Sequence, residues 1–486
     1  MSGQSIILVN TPFWLGPARV PYFENMRRMS DPKDLACLPG EHLGLASIQA
    51  FCRARGIDVH VVNGMLEGHA SLDETFAAMQ RIACEHGEPM LIGFSGVNLV
   101  FEDSRSLVRM CRKAWDGVRT VFGYDFATLN YARILTDYDE VDFVCRGDGE
   151  RCFAMLAEEL LSARERFAEV PGLAWKDGGA VTVNAPVAED LDLLPWPSRD
   201  QAARARAMGL AVSIFNTRGC PYRCTYCATG ETASLFGKQA YRERSIERTV
   251  EEMLFLKKDL DVHHFMIVDD LFVTRAEPSR ARARAFAELL LRRGADVTWS
   301  IDCRVDSIDR ELFGLLRRAG LRTCYVGVET ADRAQLARYN KRYLLGRETP
   351  ADRLRVLQEL GITVFPGILM FHPTVTKEEL EATLDLICDI GFGGTNQFQK
   401  SVRAYPGTPL FEDYEKKGWL VRGEWPVKFW EFLDPRVKRV YSAIVPMASK
   451  PAPRDDVVAE FRRLLASWET LPVDSPPEAT RFELVE

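Results

Sequence analysis

Short apolar segments alternate with amphipathic segments along the first half of the chain, and this alternation constrains the fold more than any other feature. The apolar segments are Ser5–Val9, Asp58–Val62, Met90–Ser95, Arg119–Phe122 and Asp142–Cys145. The segments between the first four have the spacing of amphipathic helices: Leu43–Arg55, Asp73–His86 and Phe101–Trp115. Strands separated by helices predict parallel βαβ units. We therefore expect an α/β domain with a doubly wound sheet, which binds ligands at the carboxyl ends of its strands.

The alternation returns in the second half of the chain. Six segments are predicted strands: Ala211–Thr217, His263–Asp269, Val297–Cys303, Thr323–Val328, Thr363–Met370 and Asn396–Val402. Five segments between them have helical spacing: Ser245–Asp259, Ser279–Arg293, Asp309–Ala319, Pro350–Leu360 and Lys377–Ile390. This order predicts a partial (β/α)6 barrel, whose chemistry is expected at the carboxyl ends of the strands.

Changes in composition predict the domain boundaries. The α/β domain is assigned to residues 1–189, and the Pro-rich, acidic stretch that follows predicts a linker over 190–210. The barrel is assigned to 211–408, and an aromatic-rich extension with one helix, Asp455–Trp468, to 409–486. We expect the Pro-rich end of this extension to be poorly ordered.

Charge and hydropathy exclude several classes of protein. The net charge is −7 and the basic residues are dispersed, which argues against nucleic acid as a partner. No apolar run approaches the ~20 residues that a membrane span needs, and the first residues do not resemble a secretory signal. We therefore expect a cytoplasmic protein with a small-molecule substrate.

Three of the twelve cysteines are clustered in the segment Arg218–Gly230, RGCPYRCTYCATG. Cys220, Cys224 and Cys227 are separated by three and two residues. An ordinary iron–sulfur cubane takes four thiolates, so three would leave one iron open to a ligand that is not protein. Zinc sites usually combine two pairs of ligands, so a single triplet fits zinc poorly. The cysteines thus predict a reactive cluster, and a non-catalytic iron–sulfur or zinc sensor remains the alternative.

The spacing Cys-x₃-Cys-x₂-Cys after the first strand of a partial barrel resembles the radical S-adenosylmethionine (SAM) superfamily. The resemblance implies a [4Fe–4S] cluster that binds SAM on its open iron, and an external one-electron reductant that triggers formation of a 5′-deoxyadenosyl radical. Further positions match the family at the strand ends and imply contacts to SAM: Tyr226, Asp269, Asp270, Arg304 and Glu329. The turn Tyr405–Thr408 also resembles the family's turn after the sixth strand.

The N-terminal domain is similar to the Rossmann-like domain of the cobalamin-binding subclass of this superfamily. The matching positions are Ser95, Gly123 with Tyr124, the loop Arg146–Glu150 and the linker segment Leu191–Arg199. The resemblance implies cobalamin as a further cofactor and C-methylation of a natural-product type of substrate.

Two departures from that subclass keep an alternative open. The chain has no Asp-x-His-x-x-Gly motif, and the string Asp58-Val59-His60 lies in a predicted strand. Tyr124 also stands where the family has a second glycine, and its ring would crowd a cofactor that approaches the backbone. The alternative is a radical SAM dehydratase or rearrangement enzyme that works without cobalamin on a sugar-like substrate.

A few polar residues are candidates for contact with the substrate. His372 follows the fifth predicted strand, and Lys400 and Arg403 lie at the sixth. A histidine there is suited to proton transfer, and the two cations to an anionic or polyhydroxyl substrate. For the two cations, the competing interpretation is internal ion pairing. His42 either faces a corrin ring or caps a helix.

Overall fold

The structure is a computed structural model, and it describes residues 4–15, 20–22, 40–343, 345–391, 394–421, 425–426, 429–449 and 452–472. The chain divides into two compact units. The first comprises Met1–Tyr222 and Ala228–Met266, and the second comprises Arg223–Cys227 and Ile267–Glu486. These units are defined by contacts within the structure, whereas the domain boundaries were expected from composition. Those boundaries therefore stay a prediction.

Sixteen strands are present in the described residues. They are β1 Ser5–Asn10, β2 Trp14–Leu15, β3 Val20–Pro21, β4 His60–Asn63, β5 Pro89–Ser95, β6 Arg119–Gly123, β7 Phe143–Cys145, β8 Leu173–Asp177, β9 Ala180–Val183, β10 Val212–Ile214, β11 Thr217–Arg218, β12 Arg242–Glu243, β13 His264–Ile267, β14 Thr298–Arg304, β15 Leu321–Glu329 and β16 Thr363–Ile368.

Seventeen α-helices complete the described part of the fold. They are α1 Leu43–Arg53, α2 Gly64–Glu67, α3 Leu72–His86, α4 Phe101–Ala114, α5 Tyr124–Asp137, α6 Gly149–Leu161, α7 Ala202–Ala207, α8 Ala228–Ser234, α9 Ile246–Leu260, α10 Glu277–Arg292, α11 Arg310–Arg318, α12 Arg333–Arg338, α13 Pro350–Glu359, α14 Lys377–Ile390, α15 Pro409–Lys416, α16 Pro435–Ala448 and α17 Arg454–Ala466.

The first unit contains a seven-stranded sheet in the order β4-β1-β5-β6-β7-β8-β9. The five strands from β4 to β7 are parallel, and the hairpin β8–β9 continues the sheet in antiparallel fashion. The predicted α/β sheet is confirmed. In register, Ser95 lies opposite Gly123, so the carboxyl ends of β5 and β6 meet at one edge of the sheet.

Helices cover both faces of this sheet, as a doubly wound fold requires. On one face, Leu45 of α1 and Phe153 of α6 share a core with Ile6 and Leu8 of β1. Side chains of a strand alternate between faces. On the other face, the ring of Phe101 in α4 lies 5.4 Å from that of Phe122.

The strands of the predicted barrel are β10, β13, β14, β15 and β16. Within the second unit, β14, β15 and β16 are adjacent and parallel, and they end at Arg304, Glu329 and Ile368. The sixth predicted strand, Asn396–Val402, is confirmed only near its end, where Ser401 forms a parallel bridge with Phe371. The first part is a 3-10 helix, Asn396–Gln399, in which Gln397, Phe398 and Gln399 are buried in succession.

The C-terminal extension is more helical than its composition suggested. The predicted helix Asp455–Trp468 is confirmed as α17, and the sequence analysis did not predict α16. Residues 473–486 of the predicted poorly ordered tail lie outside the described residues. No helix of the described residues combines the length and apolarity needed to cross a membrane.

Candidate cofactor sites

The cysteine loop of the second unit is held by backbone hydrogen bonds. The Thr225 N–H donates to the Tyr339 carbonyl at 3.0 Å, and the Leu410 N–H donates to the Thr225 carbonyl at 2.9 Å. Cys227 N–H donates to the Cys224 carbonyl at 3.0 Å, which closes a tight turn. Both thiols are half-buried and form no disulfide. The turn therefore presents two thiols from one short, anchored loop.

Cys220 belongs to the first unit and follows a glycine that no other residue replaces easily. Gly219 has a φ of +80°, and a Cβ there would lie 2.0 Å from the Ala240 carbonyl oxygen. This close approach accompanies the antiparallel pairing of β11 with β12. The position immediately before the first cysteine is therefore set by backbone geometry.

Buried carboxylates surround Arg218, two residues before Cys220. Its guanidinium donates to Glu150 at 2.5 Å, and Arg242 pairs with Asp148. Burial alone would raise the pKa of Asp148, but the two arginines hold that pKa below its usual value. The Arg146–Glu150 loop that the sequence singled out therefore binds both strands of the β11–β12 pair.

The end of β15 carries an ion pair. Glu329 has a φ of +70°, which is unusual for a residue with a side chain, and its carboxylate pairs with Lys341. Lys341 Nζ also lies 3.4 Å from the Tyr226 hydroxyl. Burial raises the pKa of the Cys224 thiol, and the charge of Lys341 opposes this effect. Two of the predicted SAM-binding residues, Tyr226 and Glu329, are thus brought to one lysine.

Arg304 ends β14 and is buried. It donates to Asp306 at 3.0 Å and to the Arg342 carbonyl at 3.1 Å. Its guanidinium also lies 5.4 Å from the centre of the Tyr343 ring. The structure therefore shows Arg304 anchoring the segment that contains Lys341, while a contact to SAM stays a prediction.

Three aspartates form an acidic group beside β13 and β14. Asp269 is buried, and Asp302 on β14 is half-buried. Burial, together with the nearby charges of Asp270 and Asp269, raises the pKa of Asp302 to about 7. One proton is therefore readily held in this group near neutral pH.

The sheet edge of the first unit contains a neutral histidine. His42 caps α1: its Nδ1 accepts from the Leu45 N–H at 3.2 Å, and its Nε2 lies 2.9 Å from Ser95 Oγ. Burial lowers the pKa of His42 to about 4. An accepting Nδ1 places the proton on Nε2, which then donates to Ser95. Both ring nitrogens are engaged, so His42 is a helix cap.

Tyr124 begins α5 at the same edge, directly after Gly123. Its φ is +77°, in the left-handed region that glycine favours. The side chain is 54% exposed, and its ring lies 6.2 Å from the His42 ring. A Cβ on Gly123 would meet nothing nearer than the Cys145 carbonyl oxygen at 3.9 Å. The family's second glycine is thus explained by backbone conformation as well as by space.

The predicted substrate residues are engaged within the protein. His372 is buried, with Nε2 3.4 Å from Glu379 and Nδ1 3.2 Å from the Thr374 hydroxyl. Arg403 donates to the Tyr405 hydroxyl at 3.4 Å, and the Lys400 carbonyl accepts from Phe371 N–H. The roles of all three residues toward a substrate stay predictions.

Two protein-family models match the chain. The Radical SAM superfamily model matches residues 214–387, and the B12 binding domain model matches residues 36–157. The first range includes the three clustered cysteines and Glu329, and the second includes Ser95 and Tyr124. The chain is a radical SAM protein with a B12-binding domain.

Known proteins are similar to most of this chain. An uncharacterized methyltransferase, PH0819, of Pyrococcus horikoshii is 26% identical over 82% of this chain and 83% of its own length. The anaerobic magnesium-protoporphyrin IX monomethyl ester cyclase of Cereibacter sphaeroides is 26% identical over 75% of this chain, which spans 58% of that enzyme. The fold resembles the cobalamin-dependent SAM radical enzyme OxsB, solved with aqua-cobalamin and SAM, with a TM-score of 0.71, 17% identity and coverage of 96% of this chain and 71% of OxsB.

The residues of the radical SAM protein fit both cofactors. Three half-buried cysteines, none of them in a disulfide, offer soft ligands to iron. At the edge of the B12-binding domain, Gly123 leaves open space, and the Tyr124 ring is exposed rather than packed into the domain.

The sequence analysis missed two charged residues of the second unit, Lys341 and Asp302. Lys341 lies in the segment Asn340–Tyr343, outside any predicted strand or helix, so nothing in the pattern marked it. Asp302 offered a signal, because an acidic residue stands between the buried Ile301 and Cys303 within β14.

Proposed function

We propose that the protein is a cobalamin-dependent radical SAM enzyme that methylates a carbon atom of a small molecule. The observation that carries the proposal is the B12-binding domain match over residues 36–157, together with the radical SAM match over 214–387. A methyltransferase name on a relative that matches over most of both chains supports this reaction class.

We assign the cofactor contacts to the residues at the strand ends. Cys220, Cys224 and Cys227 would hold the [4Fe–4S] cluster. The residues proposed around SAM are Tyr226, Asp269, Asp270, Arg304 and Glu329. Ser95, Gly123 and Tyr124 would face cobalamin. When bound, the cluster and SAM supply a 5′-deoxyadenosyl radical, and cobalamin supplies the methyl group.

The remaining roles belong to the substrate and the electron donor. Lys400 and Arg403 would attract an anionic or polyhydroxyl small molecule, and His372 would orient it. An external one-electron reductant would supply the electron. We place this chemistry in the cytoplasm, with the barrel over 211–408 and the domains and linker at the boundaries that composition predicts.

The experiment uses the anaerobically reconstituted protein with hydroxocobalamin and SAM. We expect one equivalent of cobalamin to remain after gel filtration. Loss of the SAM methyl group leaves S-adenosylhomocysteine, whereas radical cleavage leaves 5′-deoxyadenosine. We expect both products, with S-adenosylhomocysteine formed only when cobalamin is present.

Two other results would change the proposal. If 5′-deoxyadenosine forms at the same rate without cobalamin and no S-adenosylhomocysteine appears, the dehydratase or rearrangement function replaces methylation. If neither product forms while the cluster is intact, a non-catalytic iron–sulfur protein is the better description.

A further inference from the structure

A buried ion pair lies at the end of β15, beside the loop that contains two of the clustered cysteines. Lys341 and Glu329 are 7% and 6% exposed. Their side chains form an ion pair, and Lys341 Nζ lies 3.4 Å from the hydroxyl of Tyr226. Tyr226 lies between Cys224 and Cys227 in the chain. The ion pair is therefore next to the loop that contains these two cysteines.

The backbone around Glu329 is shaped to place this pair. The pairing of β15 with β16 shifts register between Gly327 and Glu329, and Glu329 takes a φ of +70°. This conformation is unfavourable for a residue with a side chain, because its Cβ approaches the following carbonyl oxygen. Tyr343 supports the bulge, since its hydroxyl donates to the Gly327 and Val328 carbonyls.

Gly327 leaves the room that the pair occupies. A Cβ at position 327 would lie 2.5 Å from Lys341 Nζ and 2.8 Å from Glu329 Oε1. The absence of a side chain at Gly327 is therefore required for Glu329 and Lys341 to pair in this position.

Stability alone does not account for such an arrangement. Apolar residues that replace a buried ion pair are often neutral or stabilising, because two charges no longer have to be desolvated. Strained backbone also collects at functional sites. A role in binding explains why charge, strain and a glycine occur at one strand end.

We propose that Lys341 is a positioning residue for SAM: it fixes the Glu329 carboxylate where the ligand binds. This inference rests on the proposed radical SAM function. Without Lys341, the Glu329 side chain loses its partner and its fixed direction. Lys341 therefore acts through Glu329, and this dependence separates its role from that of an independent ligand contact.

The test is a double-mutant cycle on SAM affinity, measured by anaerobic titration of the reconstituted protein. We expect Lys341→Met and Glu329→Gln each to weaken binding by roughly ten- to a hundredfold, the range of a polar contact to a charged group. The double variant should bind no more weakly than Glu329→Gln alone, and Lys341→Arg should recover part of the affinity. The matched control is Lys417→Met, which removes an exposed lysine paired with Asp413.

Iron content and circular dichroism identify a variant that has lost its fold. Lys341→Met leaves the Glu329 carboxylate buried without a partner, which can cost the variant its iron or its secondary structure. In that case the affinity of the double variant tests the proposal, because the double variant leaves no unpaired buried charge. Equal affinities of the double variant and Glu329→Gln support the proposal. Wild-type affinity in Lys341→Met, or losses that multiply in the double variant, would overturn it. A wild-type protein that neither binds nor cleaves SAM would instead refute the proposed function.

Discussion

The strand ends of the two compact units use different chemistry. At the ends of β5 and β6 in the first unit, the groups are neutral: an uncharged His42, the Ser95 hydroxyl, and the backbone at Gly123 and Tyr124. At the strand ends of the second unit, ion pairs and an acidic group prevail, with Lys341 paired to Glu329 as the central example.

This difference follows the ligands that the two family models imply. A neutral edge shaped by backbone and small residues suits the broad surface of cobalamin. SAM carries an ammonium, a carboxylate and a sulfonium charge, and charged partners in a buried site bind such groups strongly. Similar α/β strand ends are thus adapted to different ligands by their charge.

The largest effect on cofactor binding is expected from the loop that contains the three clustered cysteines. Replacing Cys220, Cys224 and Cys227 by Ala should abolish iron binding and formation of 5′-deoxyadenosine, because the soft ligands are lost. Iron analysis and chromatography measure both, and circular dichroism should change little. Cys84→Ala, at an exposed cysteine of α3, is the control. Full iron content in the triple variant would contradict the assignment.

Glu150→Ala tests whether charge is also structural in the first unit. It leaves Arg218 without its nearest carboxylate, and Glu150 is buried. We expect the free energy of unfolding to fall by about 3 kcal/mol in urea denaturation. In the control, Glu158→Ala breaks the exposed pair with Arg55 and should cost below about 1 kcal/mol. Equal losses would show that burial is not the cause.

Asp302 makes the stability of the protein depend on pH. Its folded-state pKa of about 7 is raised by burial and by Asp270 and Asp269, so its contribution to stability is present below about pH 4 and is lost as pH rises through 7. Between pH 5 and 8 we expect the wild type to lose about 2 kcal/mol that Asp302→Asn does not lose. Asp259→Asn, at an exposed position of α9, should behave as the wild type. Parallel curves for the wild type and Asp302→Asn would refute this.

The smallest effect is expected at Tyr124. It separates two explanations for the glycine that the family has at this position: the backbone conformation and the space that a cofactor needs. Gly and Ala both remove the ring, but only Gly relieves the φ of +77°. We expect Tyr124→Gly to be more stable than Tyr124→Ala by about 1 kcal/mol in thermal denaturation. If the ring blocked cobalamin, both variants would gain affinity equally. We expect neither to gain, because the exposed ring does not fill the domain.

The clustered cysteines and the two strand–helix alternations could be interpreted from sequence because their signals are local. Helix α14 was predicted with its observed bounds, since its ends are marked by the cap at Thr376 and by Gly391. The first part of the predicted strand Asn396–Val402 is a 3-10 helix instead, because the burial of its residues comes from tertiary packing, such as that of Phe398 near Phe461 of α17.

The sequence by itself determined the class of fold, the position of the cysteine loop and the two cofactors implied, because each depends on periodicity or on residues close together in the chain. Only the tertiary structure decided which charges meet. Lys341 and Glu329 are twelve residues apart, and Glu150 and Arg218 are sixty-eight apart. Such pairs depend on the path of the backbone and on how deeply each side chain is buried. Neither can be predicted from the local sequence pattern. The same reason explains His42, whose neutral state follows from burial and from its hydrogen bonds to Leu45 and Ser95.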